Sequence, residues 1–151
     1  GSPVESDPVL LAYPGHPDWG MSPTVTADGR YLIASVDHGS GPGTRVEVAD
    51  LRRHGPFSTI AEAYESSFTF AGSDGSVLLF VTEDGAPRSR VVGIDVERPA
   101  KEHWKTIVPE SRDAIEAARV VAASALRLRV PAPGPVAAAR HALPRATEIA
   151  A

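Results

Sequence analysis

Five histidines, at positions 16, 38, 54, 103 and 141, are the residues most able to bind a metal or move a proton. None stands at the His-x-x-x-His or His-Glu-x-x-His spacing, and a zinc site needs three or four converging ligands. They read as loop-surface residues, and no metal is expected. Cysteine is absent, which removes disulfides and thiolate ligands together. A Ser-His-Asp triad assembles in space rather than in sequence, but nothing marks one serine as activated. Gly39-Ser40-Gly41 and Gly72-Ser73-Asp74-Gly75 do not match the Gly-x-Ser-x-Gly nucleophile elbow. The glycine-rich run Gly39 to Gly43 is not followed by Gly-Lys-Ser/Thr, so it offers no phosphate cradle and reads as a flexible loop. Asp28-Gly29, Asp74-Gly75 and Asp84-Gly85 each stand alone, without the alternate acids of a calcium loop. No catalytic residue and no cofactor are expected within these 151 residues.

The elements that would position any site are short. The 14 prolines and 13 glycines fall mostly between apolar runs, which favours strands joined by tight turns. With 42% hydrophobic and 23% charged residues the chain has the composition of a soluble globular domain. A net charge of −4 provides no electrostatic footprint for nucleic acid or an anionic membrane. No apolar run approaches the roughly 18 residues of a membrane span. The first residues lack the basic start and apolar stretch of a signal peptide, and a cytoplasmic location is expected. Residues 1–8, opening with Gly1-Ser2, read as tag or linker.

Period-two alternation marks half-buried strands at Tyr31 to Val36, Arg45 to Val48, Val77 to Val81 and Arg90 to Ile94. The Asp-Gly pairs between them suit hairpins, since glycine takes positive φ without a Cβ clash. These pieces recur in order. Asp28-Gly29 with the strand after it returns as Asp74-Gly75, and Arg45 to Asp50 returns as Arg90 to Asp95, a period of about 45. A further strand type occurs three times, at Pro8 to Pro14, Phe57 to Ala61 and Trp104 to Pro109. Four short strands per unit at this period is the β-propeller pattern. The expected fold is all-β, a partial β-propeller of about two and a half four-stranded antiparallel blades, spanning residues 9–130. The stretch from Asp113 to Arg119 would pass for a helix on propensity, but its place in the repeat favours strand. Residues 131–151 form a Pro/Ala/Arg-rich tail, a poorly structured end or a degenerate third blade, because Pro131, Pro133 and Pro135 remove donors that a central strand needs.

The run from Pro17-Asp18-Trp19-Gly20-Met21 through Asp28-Gly29-Arg30-Tyr31-Leu32-Ile33 resembles the Trp-led start of a blade in the prolyl oligopeptidases, serine peptidases that cleave short peptides after proline. Arg45 to Leu51, and Asp95-Val96 with Trp104 to Glu110, are similar to later pieces of the same propeller. The resemblance covers Val9 to about Leu128. It implies a catalytic α/β-hydrolase domain that this chain lacks, with short proline-containing peptides as substrates of the full-length parent and a propeller that restricts access to the active site. It also implies that the loop after the second strand of the first blade reaches toward bound peptide. The matching positions are Asp37 and Ser40, with Gly20 or Met21 at the start of the blade; animal members carry Arg and Cys at the first two. The alternative reading is a self-associating propeller scaffold or binding module without enzymatic activity. Two further expectations follow. Trp19 and Trp104 should be buried between blades, and the outermost faces should present Leu32, Ile33, Leu78 and Phe80.

Overall fold

The structure is a computed structural model that describes residues 9–111, 115, 117–122, 125–129 and 138–142. Among the described residues eleven strands form three antiparallel sheets, each built in chain order. The first holds β1 (Gly20–Val25), β2 (Tyr31–Asp37), β3 (Thr44–Asp50) and β4 (Ser58–Ala63). The second holds β5 (Phe68–Asp74), β6 (Val77–Thr82), β7 (Arg90–Asp95) and β8 (Lys105–Val108). The third holds β9 (Ala117–Ala122), β10 (Ala125–Arg129) and β11 (Ala138–Ala142). Sequential strands pair by hairpins throughout, which is the blade topology of a partial propeller. Of the stretch from Asp113 to Arg119, Ala117 to Arg119 is strand and not helix, and residues 113, 114 and 116 lie outside the described residues. The tail's Pro131, Pro133 and Pro135 lie outside the described residues. Among the described residues no helix is long and apolar enough to cross a membrane.

The repeat is visible bond by bond. Gly29 and Gly75 both take positive φ, 69° and 59°, in the Asp-Gly turns that open β2 and β6. The Leu51 amide donates to the Arg30 carbonyl at 2.8 Å, and 45 residues later the Val96 amide donates to Ser76 at 3.0 Å. Asp50 accepts the Arg52 amide at 3.0 Å through its carboxylate, and Asp95 accepts the Glu97 amide at 3.1 Å. Each is an Asx turn that closes the third strand of its blade. Both blades carry a bulge in the outer pairing, at Val46/Glu47 and at Val91/Val92. Arg45 reaches Thr59, and Arg90 reaches Thr106, across the same strand pair.

The core lies between blades rather than inside one. Tyr31, Ile33, Val46 and Ile60 of the first blade meet Phe68, Leu78, Phe80 and Ile94 of the second. Across the second blade, Val77, Leu79, Val81 and Val91 meet Ile115 and the flank of β9 at Ala118. Burying one such side chain contributes about 1.5–3 kcal/mol, so both faces of the second blade are strongly held. Ile33, Leu78 and Phe80 are thus fully buried, against the expectation that they would line open faces. Alternation puts Leu32 on the side opposite Ile33, and it alone of the four borders the open face of the first blade.

The tryptophans divide. Trp104 packs on the inter-blade core, edge-on to Phe68 at 5.6 Å, with its indole N–H donating to the Pro99 carbonyl at 2.8 Å. Trp19 does not enter a blade interface. It precedes β1 and stacks in a ring cluster at one end of the first blade, because its strand is the exposed inner edge of the sheet.

Candidate functional site

The end of the first blade where β1 begins and β2 finishes gathers most of the positions singled out in the sequence. Antiparallel register sets Gly20 opposite Asp37 and Met21 opposite Val36. A Cβ on Gly20 would stand 4.0 Å from the Asp37 carboxylate, so that carboxylate overhangs the start of β1. Met21 is 44% exposed. Ser40 is exposed at the tip of the β2–β3 loop. Gly20, Met21 and Asp37 are therefore brought together, and Ser40 stands three residues farther along the same loop.

That loop is tightly built, not loose. The His38 amide donates to the Gly43 carbonyl at 3.0 Å, and the Gly39 amide to the Asp37 carbonyl at 3.0 Å. Gly39 holds φ at 66°, and any Cβ there would meet Asp18 at 2.6 Å. A Cβ on Gly43 would come within 2.9 Å of the Ala63 and Tyr64 carbonyls and of His38. Close approach of two backbone carbonyls demands glycine at 43, and the positive φ favours it at 39.

Beneath the loop runs a ladder of rings that the sequence did not disclose. His16 stacks on Trp19 at 4.0 Å, Trp19 lies 4.4 Å from His38, and His38 lies 5.2 Å from Tyr64. His38 is not a loop-surface residue. Its side chain is only 9% exposed, with Nε2 3.7 Å from a Glu62 carboxylate oxygen. Its signal was indirect: a histidine followed by Gly39, where a tight turn folds the ring inward.

Glu47 was missed for a similar reason. It occupies a polar place in the alternation of β3, yet it is 4% exposed. Its carboxylate accepts from the Tyr13 hydroxyl at 2.9 Å, the Arg45 Nε and the Thr59 hydroxyl at 3.0 Å. Burial, then the hydrogen bond to Glu47 and its charge, pushes the Tyr13 hydroxyl above the ordinary tyrosine range. The segment before β1 is thereby tied to the face of the first blade.

At the opposite end of the blade, Arg30 pairs with Asp50 at 3.2 Å, and Arg30 and Arg53 reach Glu97 of the second blade at 3.8 and 3.4 Å. Asp28 is held below the usual carboxylate range, first by the Thr26 hydroxyl at 2.6 Å. Among the described residues no group of three or more His, Asp or Glu side chains could hold a metal ion. The β1–β2 end can offer a carboxylate and a hydroxyl to a ligand's donors.

Comparison with known proteins agrees with this architecture. Residues 1–128 match the family description "Prolyl oligopeptidase, N-terminal beta-propeller domain". The prolyl endopeptidase of Elizabethkingia meningoseptica is 27% identical over 116 residues, covering 77% of this chain and 16% of its own length. Prolyl oligopeptidase A of Amanita bisporigera is 30% identical over 100 residues, covering 63% of this chain and 13% of its own. A solved prolyl endopeptidase structure superposes with a TM-score of 0.84 at 26% identity, over 95% of this chain and 21% of its own. Oligopeptidase B from Leishmania major shares the fold at a TM-score of 0.80 and 17% identity, over 99% of this chain and 21% of its own. The chain thus spans about a sixth of the length of the curated relatives it matches.

Proposed function

Since the chain belongs to the prolyl oligopeptidase family, through that family's N-terminal β-propeller domain, we propose that it is a non-catalytic segment of a serine endopeptidase that cleaves short peptides after proline. The observation that carries this reading is the match over residues 1–128 to a domain whose relatives are peptidases several times longer. The chemistry belongs to a hydrolase domain elsewhere in the parent. The propeller's part is steric: a ring of packed blades admits a short peptide and excludes a folded protein. That task needs rigidity, which fits the two apolar inter-blade contacts, and it needs no reactive side chain.

Within this reading Gly20, Met21, Asp37 and Ser40 face the peptide. Gly20 leaves room at the start of the inner strand, Met21 offers an adaptable apolar contact, and Asp37 and Ser40 accept hydrogen bonds from peptide N–H groups. The exposed inner strand β1 and the overhang of Asp37 above Gly20 support the assignment.

The test is the reading frame of the parent gene. A Gly-x-Ser-x-Gly segment downstream, with the remaining blades between, is the expected result. A frame that runs on through further sequence and carries no hydrolase domain on either side would overturn the enzyme reading and leave a scaffold.

A further inference from the structure

We infer that His38 controls a clasp through its proton: charged, it holds the segment before β1 against the β2–β3 loop, and neutral, it lets the two part. The inference goes beyond the enzyme reading and stands without it. Its first support is burial without satisfaction. The His38 side chain is only 9% exposed, yet neither ring nitrogen has a hydrogen-bond partner among the described residues. A buried polar group left unpaired is costly, so the neutral ring is poorly served where it stands.

The surroundings suit the charged ring better. A carboxylate oxygen of Glu62, at the end of β4, lies 3.7 Å from Nε2, an ion-pair distance rather than a hydrogen bond. The rings of Trp19 and Tyr64 are centred 4.4 and 5.2 Å away, within the roughly 6 Å over which an aromatic ring attracts a cation. Two more acids stand by the loop. Asp37 precedes His38 in the chain, and a Cβ on Gly39 would meet the Asp18 carboxylate at 2.6 Å. The opposing charge is Arg45 of β3, 3.4 Å from the same Glu62 oxygen. Its guanidinium is also bound to the buried Glu47 and to Thr59, which leaves Glu62 to serve both cations. Burial alone disfavours a charge; the Glu62 carboxylate and the two rings offset it here.

Trp19 is what the clasp grips. Two imidazoles centred within 4.4 Å of one indole would overlap on a single face, so they flank it, His38 on the loop side and the exposed His16 on the other. The His16 amide donates to the Tyr13 carbonyl at 2.9 Å, and the Trp19 amide to the His16 carbonyl at 3.2 Å. These turns present the indole to the loop, while the Tyr13 hydroxyl ties the other end of the segment to Glu47.

The consequence falls on the β1–β2 end. Trp19 leads directly into Gly20 and β1, and the loop carries Asp37 and Ser40. A closed clasp fixes the spacing of these residues, and an open one frees it. Imidazole changes charge between about pH 5 and 8, so the clasp closes toward the acid side of that range and opens toward the alkaline side.

Trp104→Phe leaves Trp19 as the sole tryptophan, and its emission reports the clasp. As pH rises through that range, emission should move to longer wavelength. Exchange of the His38 and Gly39 amides, corrected for the intrinsic effect of pH, should quicken several-fold. His38→Phe keeps a ring in the stack and should abolish both responses; Glu62→Gln should weaken them, and His16→Phe should leave them in place. A flat emission, a response that persists in His38→Phe, or one undiminished in Glu62→Gln would each overturn the inference. The unsubstituted chain gives a reading that needs no variant: in NMR the His38 ring and the Trp19 indole should titrate with one midpoint, and separate midpoints would overturn it as well. None of these results bears on the hydrolase domain, which the parent reading frame tests separately.

Discussion

The Tyr31 hydroxyl is buried at the inter-blade contact and finds no hydrogen-bond partner, while its ring fills the core between blades. Tyr31→Phe should therefore be neutral or slightly stabilising, because an unsatisfied buried hydroxyl costs about 1–3 kcal/mol. Tyr31→Ala should cost about 3–5 kcal/mol, as loss of a buried aromatic does. Urea melts of both variants check the pair, and a loss above about 1 kcal/mol for Tyr31→Phe would show that the hydroxyl is bonded. Tyr13 makes the opposite case. Its hydroxyl donates to a buried carboxylate, and Tyr13→Phe should cost about 1.5–3 kcal/mol. Because its pKa is raised in the fold, the stability linked to this proton is fully present below the unfolded value of about 10. It is lost as pH rises through the folded value. The alkaline decline of the unsubstituted chain should thus be steeper than that of Tyr13→Phe. Neither role was legible in the sequence. Tyr13 and Glu47 lie 34 positions apart, and period-two alternation assigned Glu47 to solvent for want of any local sign of its partner.

Strands and turns were legible where their causes are local. Asp28-Gly29 and Asp74-Gly75 declare hairpins through glycine's access to positive φ, and the same turns set the register that buries Ile33 and Phe80. What alternation could not say is which face meets a neighbouring blade. Ile33 and Leu32 are equally apolar, and only the order of sheets around the axis buries the first and leaves the second beside a groove. Trp19 was misplaced for the same reason, since a large indole fills a core or a loop cluster equally well. Two measurements address elements. Gly43→Ala presses a methyl to within 2.9 Å of two carbonyls and should cost about 1–3 kcal/mol by overpacking; a thermal melt unchanged from the parent chain would mean that the loop yields freely. In native-state hydrogen exchange, the amides of β2, β3, β6 and β7 should be slowest, because their strands are flanked on both sides and carry the inter-blade core. The exposed edge strand β1 should exchange early, and equal protection of β1 and β6 would contradict a core held between blades.

At the scale of the whole molecule, the described residues form two complete blades and a three-stranded sheet beyond them, with both faces of the second blade covered. The repeat was readable because each unit replays the same turns, Asx closures and bulge. No serine here matches the spacing of a nucleophile elbow, a compact motif. The central claim is that this propeller segment shapes access to a catalytic site that it does not itself contain. It is tested most directly by hydrolysis of a short proline-containing peptide, measured side by side for the purified 151-residue chain and the full-length parent. The account predicts turnover by the parent and none by the chain, whose sequence holds no Gly-x-Ser-x-Gly elbow. Turnover by the chain that survives repurification and disappears on mutating one of its own serines would contradict it.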